Sequence, residues 1–146
     1  MITLIQQTKV NKTLLGRVRR YSEKILAFLS LQEKIVTVVF CDKNFIAELN
    51  KKYFNKDYTT NVISFPFNEK EYLGEIYVCL SVAEEEALEW GVSLFYEIMY
   101  LIIHGMLHLI GYDHVGGESE AAVMEKKEAE IIESIGLKKW RAKYDS

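Results

Sequence analysis

All three histidines of this chain fall within eleven positions: His104-Gly105-Met106-Leu107-His108-Leu109-Ile110-Gly111-Tyr112-Asp113-His114. Neutral imidazole is the commonest side-chain ligand for transition metals. His104 and His108 are four residues apart, a spacing that stacks two side chains on one helix face within reach of a single ion. Gly111 then stands where a helix can end in the left-handed conformation, and such a bend returns His114 toward the other two rings. Three protein ligands with a fourth place left for water characterise catalytic zinc, whereas structural zinc takes four. Zinc lowers the pKa of bound water from about 15.7 toward 7, so hydroxide forms at neutral pH beside a cation that stabilises charge on an attacked oxygen. The alternative, a set of hydrogen-bonded core histidines, would bury two aligned imidazoles without a shared partner, which is costly. Ligand type points to one Zn2+, and nickel, cobalt or iron would accept the same rings.

The run matches the metallopeptidase pattern His-Glu-x-x-His-x-x-Gly-x-x-His at the ligands and the glycine, but Gly105 occupies the place of the glutamate that serves there as general base. The ligands survive and the peptidase base does not, so peptide hydrolysis is disfavoured. Asp113 and Glu118 are the nearby acids available for catalytic proton transfer. Asp113 has a second reading as a carboxylate orienting a histidine ligand, and Glu118 as a charge favoured at a helix N-terminus. Cys41 and Cys79 lie in apolar runs without the paired spacing of a cysteine-rich zinc site, and read as inert core thiols of a reducing compartment.

These residues need a scaffold. The chain has 146 residues, of which 49% are hydrophobic and 27% charged, the balance of one ordinary globular domain with its own core. Short β-branched runs at Ile2 to Ile5, Ile35 to Cys41, Asn61 to Phe65 and Leu73 to Leu80 have strand length. Pro66 cannot donate to a ladder and marks the third as an edge strand, placed to line a cleft. Helical periodicity covers about 12–30 and about 43–53, the second behind Asp42 as N-cap. Ser81 with Glu84 forms a capping-box pattern for a helix reaching Trp90 and stopped by Gly91. Ser93 opens the next, about 94–110, apolar on nearly every side and therefore central, and this helix carries His104 and His108. A last amphipathic helix runs from Glu118 to Ile135. The expected fold is α/β (α+β), a single domain with a four-stranded mixed sheet and about five helices.

The longest nearly apolar stretch, Leu94 to Ile103, is broken by Glu97 and is shorter than the roughly 20 residues of a membrane span, so no membrane partner is expected. The N-terminus lacks the features of a secretory signal, which predicts a cytoplasmic protein. Formal net charge is only −3, so no overall basicity announces nucleic acid. Arg17, Arg20 and Lys24 do form a stripe on the first helix, with a solvated face and a phosphate-binding surface as its two readings.

Beyond the ligands, the run resembles the signature H-G-x-L-H-L-x-G-Y-D-H of the YbeY family of bacterial rRNA maturation factors, metal-dependent single-strand endoribonucleases. Leu49-Asn50 with Asp57 and Thr60-Asn61-Val62-Ile63-Ser64-Phe65-Pro66 resembles that family's L-N…D…T-[DN]-V-L-S-F-P block, and Leu73-Gly74-Glu75-Ile76 resembles L-G-[DE]-I. The resemblance spans essentially the whole chain. It implies a zincin-like domain, zinc on His104, His108 and His114, and a role in small-subunit rRNA 3′ end processing and ribosome quality control. The partners it implies are rRNA and the small ribosomal subunit, with no DNA. One departure stands out: Tyr53 is followed by Phe54, where the family pattern usually has arginine. Lys51, Lys52 and Lys56 are candidate replacements as point charges on RNA, or a solvated loop. Asn61 and Ser64 are candidate contacts to the substrate backbone, or turn residues. Two rival functions remain open: an RNA-binding ribosome-assembly factor whose metal only fixes a loop, and a metal-dependent hydrolase of another substrate.

Overall fold

The computed structural model describes residues 1–67, 69–112 and 118–137. The elements in chain order are β1 (Ile2–Gln6), α1 (Lys12–Phe28), β2 (Ile35–Cys41), α2 (Lys43–Phe54), β3 (Val62–Pro66), β4 (Tyr72–Cys79), α3 (Leu80–Trp90), α4 (Leu94–Leu109) and α5 (Glu118–Ser134). The expected five helices and four strands are all present. The sheet order is β1-β2-β4-β3, with β1, β2 and β4 parallel and β3 antiparallel to β4. As Pro66 requires, β3 is an edge strand.

Side chains alternate across the sheet and build a core on each face. On one face Val36, Val38, Phe40, Ile76 and Val78 pack with Val18 and Leu26 of α1, most of α4, and Met124 and Ile131 of α5. On the other, Cys41, Cys79 and Ile63 pack under Ile46 of α2. Cys41 and Cys79 are register partners on β2 and β4, and both are free, buried thiols.

Local signals act much as the residue types dictate. Asp42 accepts from the amide of Phe45, and Ser93 from that of Tyr96, capping α2 and α4. The capping box expected at Ser81 does not form: β4 passes directly into α3, Cys79 is the N-cap, and no side chain caps it. The chain is already helical when it reaches Ser81, which sits inside the first turn. Two members of the basic stripe of α1 lie over aromatic rings, with the Arg17 guanidinium 3.9 Å from the Phe95 centroid and the Lys24 ammonium 4.4 Å from that of Tyr21. No single helix among the described residues is long and apolar enough to cross a membrane.

Candidate functional site

The site is built on α4, whose twelve buried residues face both the sheet and the other helices. His104 and His108 sit one turn apart near its C-terminal end. Their Nε2 atoms are 3.1 Å apart and the rings meet edge to face, with centroids separated by 4.6 Å. Two ligand nitrogens of a tetrahedral zinc are separated by about 3.4 Å, given Zn–N bonds near 2.0–2.1 Å. The imidazoles therefore already converge at the spacing of two ligands to one ion, and the donor set fits zinc.

A residue not expected from sequence completes this pair. Glu128 of α5, with its side chain only 3% exposed, places Oε2 2.8 Å from Nδ1 of His104. An ionised carboxylate only accepts, so the ring proton belongs on Nδ1, where it is donated to Glu128, and the Nε2 lone pair is left facing His108. This is the outer partner that metal-binding histidines ordinarily have. The sequence does carry a trace of it: Met124, Glu128, Ile131 and Ile135 follow one helical stripe, and a carboxylate on a buried stripe calls for a partner.

Gly105 explains the missing peptidase base. A Cβ at this position would lie 2.8 Å from Ile76 Cγ2 and 3.0 Å from Ser64 Oγ. Residue 105 faces the sheet so closely that any side chain there must displace those of Ile76 and Ser64, and a glutamate more than an alanine. The Ser64 hydroxyl, moreover, donates to the Gly105 carbonyl at 3.2 Å and ties the edge strand to the helix between the two histidines.

The turn after α4 has the expected form. Gly111 has φ +102°, its amide donates to the His108 carbonyl, and the Tyr112 amide donates to that of Leu107. Asp113 and His114 lie outside the described residues, as does the side chain of Glu118, the first residue of α5. Among the described residues no group of three or more His, Cys, Asp and Glu side chains could hold a metal ion.

The histidine pair opens into a cleft of about 580 Å³, lined on its far side by residues from the end of α2 through β3. Lys56 and Ser64 both line it. Asn61 does not: its amide is held by both carboxylate oxygens of Glu86 at 3.2 Å, and its carbonyl accepts from Cys79. Lys51 and Lys52 lie in the exposed last turn of α2 outside the cleft lining, with Lys52 Nζ 5.2 Å from the Tyr53 ring centroid. Asn50 holds the cleft rim together. Its side-chain amide donates to the Tyr58 carbonyl at 2.9 Å while its own carbonyl accepts from Lys56.

The family model described as "Endoribonuclease YbeY" matches residues 2–136. The chain belongs to the YbeY family. Similar curated relatives include the protein named Endoribonuclease YbeY from Carboxydothermus hydrogenoformans, 40% identical over 108 residues, covering 72% of this chain and 75% of that protein. The namesake from Syntrophus aciditrophicus is 36% identical over 139 residues, covering 90% of this chain and 87% of that protein. A solution structure of a Thermotoga maritima protein superposes with TM-score 0.69 at 32% identity, covering 100% of this chain and 97% of the other. The part of the YbeY signature within the described residues, His104 to Tyr112, thus falls on the end of α4 and its glycine turn, and the block resembling L-N…D…T-[DN]-V-L-S-F-P runs from Leu49 in α2 to Pro66 at the end of β3, along the opposite cleft wall.

Proposed function

We propose that this chain is a metal-dependent endoribonuclease specific for single strands, which matures the 3′ end of small-subunit rRNA and serves ribosome quality control in the cytoplasm. The observation that carries this reading is the pair of imidazoles converging at a cleft in a chain of the YbeY family. His104 and His108, with His114 as the third ligand, would hold one Zn2+. When bound, that ion supplies an acidified water and stabilises charge on a phosphoryl oxygen.

The chain's own residues do the rest. Glu128 keeps the proton of His104 on Nδ1, so Nε2 remains a donor of its lone pair. Ser64 fixes the edge strand against the histidine helix and sets the width of the cleft. Lys56, on the cleft wall, attracts the phosphate backbone. Asp113 and Glu118 are the acids proposed for proton transfer to and from the reacting oxygens. Two buried free thiols suit a reducing compartment.

The test is metal analysis of the purified protein by emission spectrometry, with cleavage assays on small-subunit rRNA fragments by wild type, His108→Ala and His114→Ala. About one equivalent of zinc and loss of cleavage in both variants are expected. Equal cleavage by wild type and variants would assign the activity to a contaminant and overturn the reading. Normal rRNA maturation in cells carrying the variants would favour the assembly-factor alternative instead.

A further inference from the structure

The cleft rim combines features that the metal chemistry does not use. Phe54, the last residue of α2, is 46% exposed, and Tyr58 is 56% exposed, yet both line the cleft. Large aromatic side chains left in solvent beside a functional cleft are more informative than scattered surface apolar residues. The Phe54 ring lies against Phe65 with centroids 6.0 Å apart and planes inclined by only 21°, so Phe65 supports it from one side. Phe65 is in turn wedged by Tyr53 and Tyr77, at 5.0 and 5.7 Å. The rim is also fixed in the backbone: Asn55 caps α2 in the left-handed conformation, and Asn50 clamps both Lys56 and Tyr58. The Phe54 ring and the backbone that carries Tyr58 are thus held in place before any ligand arrives, which lowers the ordering entropy that opposes binding there.

The charge around them selects the occupant. Lys56 lines the cleft and no carboxylate does among the described residues; outside the lining, Lys51 and Lys52 on α2 outnumber the single exposed carboxylate of Asp57. Such a local field, in a chain of net charge −3, favours an anionic partner here rather than over the whole surface. Aromatic faces interleaved with lysines are the means by which proteins grip unpaired nucleic acid, with rings stacking on bases and cations tracking phosphates.

We infer that Phe54 and Tyr58 form a stacking shelf for unpaired bases of an RNA strand whose backbone passes Lys56 toward the His104–His108 pair. The inference rests on the ribonuclease reading for its substrate class. It gives Phe54 a binding role of its own at the position where the family pattern has a cation, with the planar ring gripping a base instead of a phosphate. Selection for single strands follows, because a base stacked in a duplex has no face to offer.

The experiment uses the full-length, metal-loaded protein and a fluorescein-labelled single-stranded RNA, with the same RNA carrying abasic sites as control. Phe54→Leu and Tyr58→Leu keep apolar bulk and remove the π face. Each should raise the Kd by anisotropy and the KM for cleavage about tenfold while kcat stays within about twofold. Abasic RNA should bind wild type and variants alike. Phe54→Trp, which enlarges the ring, should tighten binding, with indole fluorescence quenched on addition of RNA. Unchanged Kd and KM in the Leu double variant, a fall in kcat with KM unchanged, or a change in sedimentation that marks the patch as a protein contact would each overturn the inference. Should wild type bind RNA without cleaving it, the ribonuclease reading fails while the loss of binding in the Leu variants still supports the shelf. Failure of wild type to bind the RNA at all overturns both.

Discussion

Glu128 reaches His104 from a helix that begins fourteen residues after it in the chain, and the contact determines which nitrogen of His104 faces the cleft. Replacing the carboxylate by an amide keeps the shape and removes the charge. Glu128→Gln should therefore lower zinc affinity about 10- to 100-fold, measured by competition with a chromophoric chelator, with the protein still folded by circular dichroism. Unchanged affinity would reduce Glu128 to a tie between α4 and α5. At this scale the ligand pair was legible because a four-residue spacing is itself geometry. Glu128 was legible only as a carboxylate on an apolar stripe; its partner was not, because the packing of α5 on α4 decides which group it meets. Asn61 illustrates the converse: a polar residue beside an edge strand looked free to meet substrate, and the acceptor that occupies it, Glu86, lies 25 residues away on α3.

Among the elements, α4 is held close to the sheet at Gly105, against Ile76 of β4 and Ser64 of β3. Gly105→Ala places a methyl group 2.8 Å from Ile76 Cγ2 and 3.0 Å from Ser64 Oγ. Relieving that overlap should cost about 1–3 kcal/mol, read from urea unfolding at neutral pH. An unchanged midpoint would mean that helix and sheet are not in direct contact at this position. The strands and helices could be read from sequence to within a few residues, since hydrophobic period and caps are local properties. The Ser81 cap could not, because nothing in the residues after Leu73 announces that a strand continues into a helix without a turn. Similarly, the identity of Gly105 was legible as the loss of a peptidase base, whereas its cause lies in Ile76 and Ser64, which are distant in sequence and adjacent in space.

For the molecule as a whole, the core under α2 carries a pH dependence. Burial chiefly, helped by nearby Cys79 and Asp42, raises the Cys41 thiol from its ordinary 9.0 to about 12. Burial also raises the Tyr77 hydroxyl from 10.0 to about 12, assisted by its hydrogen bond to Glu75. Above pH 9 the unfolded chain has begun to release protons that the folded chain retains, so each further rise in pH favours unfolding. The stabilisation is whole below pH 9 and is lost as pH climbs toward about 12. Urea midpoints should be flat at mildly alkaline pH and fall steeply above it, less so in Cys41→Ala. A flat profile throughout would show that the thiol and the phenol titrate as if exposed.

The strand order has a consequence for a chain emerging from its own ribosome. β1, α1 and β2 appear first and can pair at once, but β3 pairs only with β4, which follows it. The lysine and aromatic rim waits for that edge, the imidazoles wait for α4, and the proton on His104 waits for α5, the last element among the described residues. In chain order the cleft rim thus precedes the histidine helix, and the carboxylate that orients His104 comes after both, so no product truncated before α5 contains the whole arrangement.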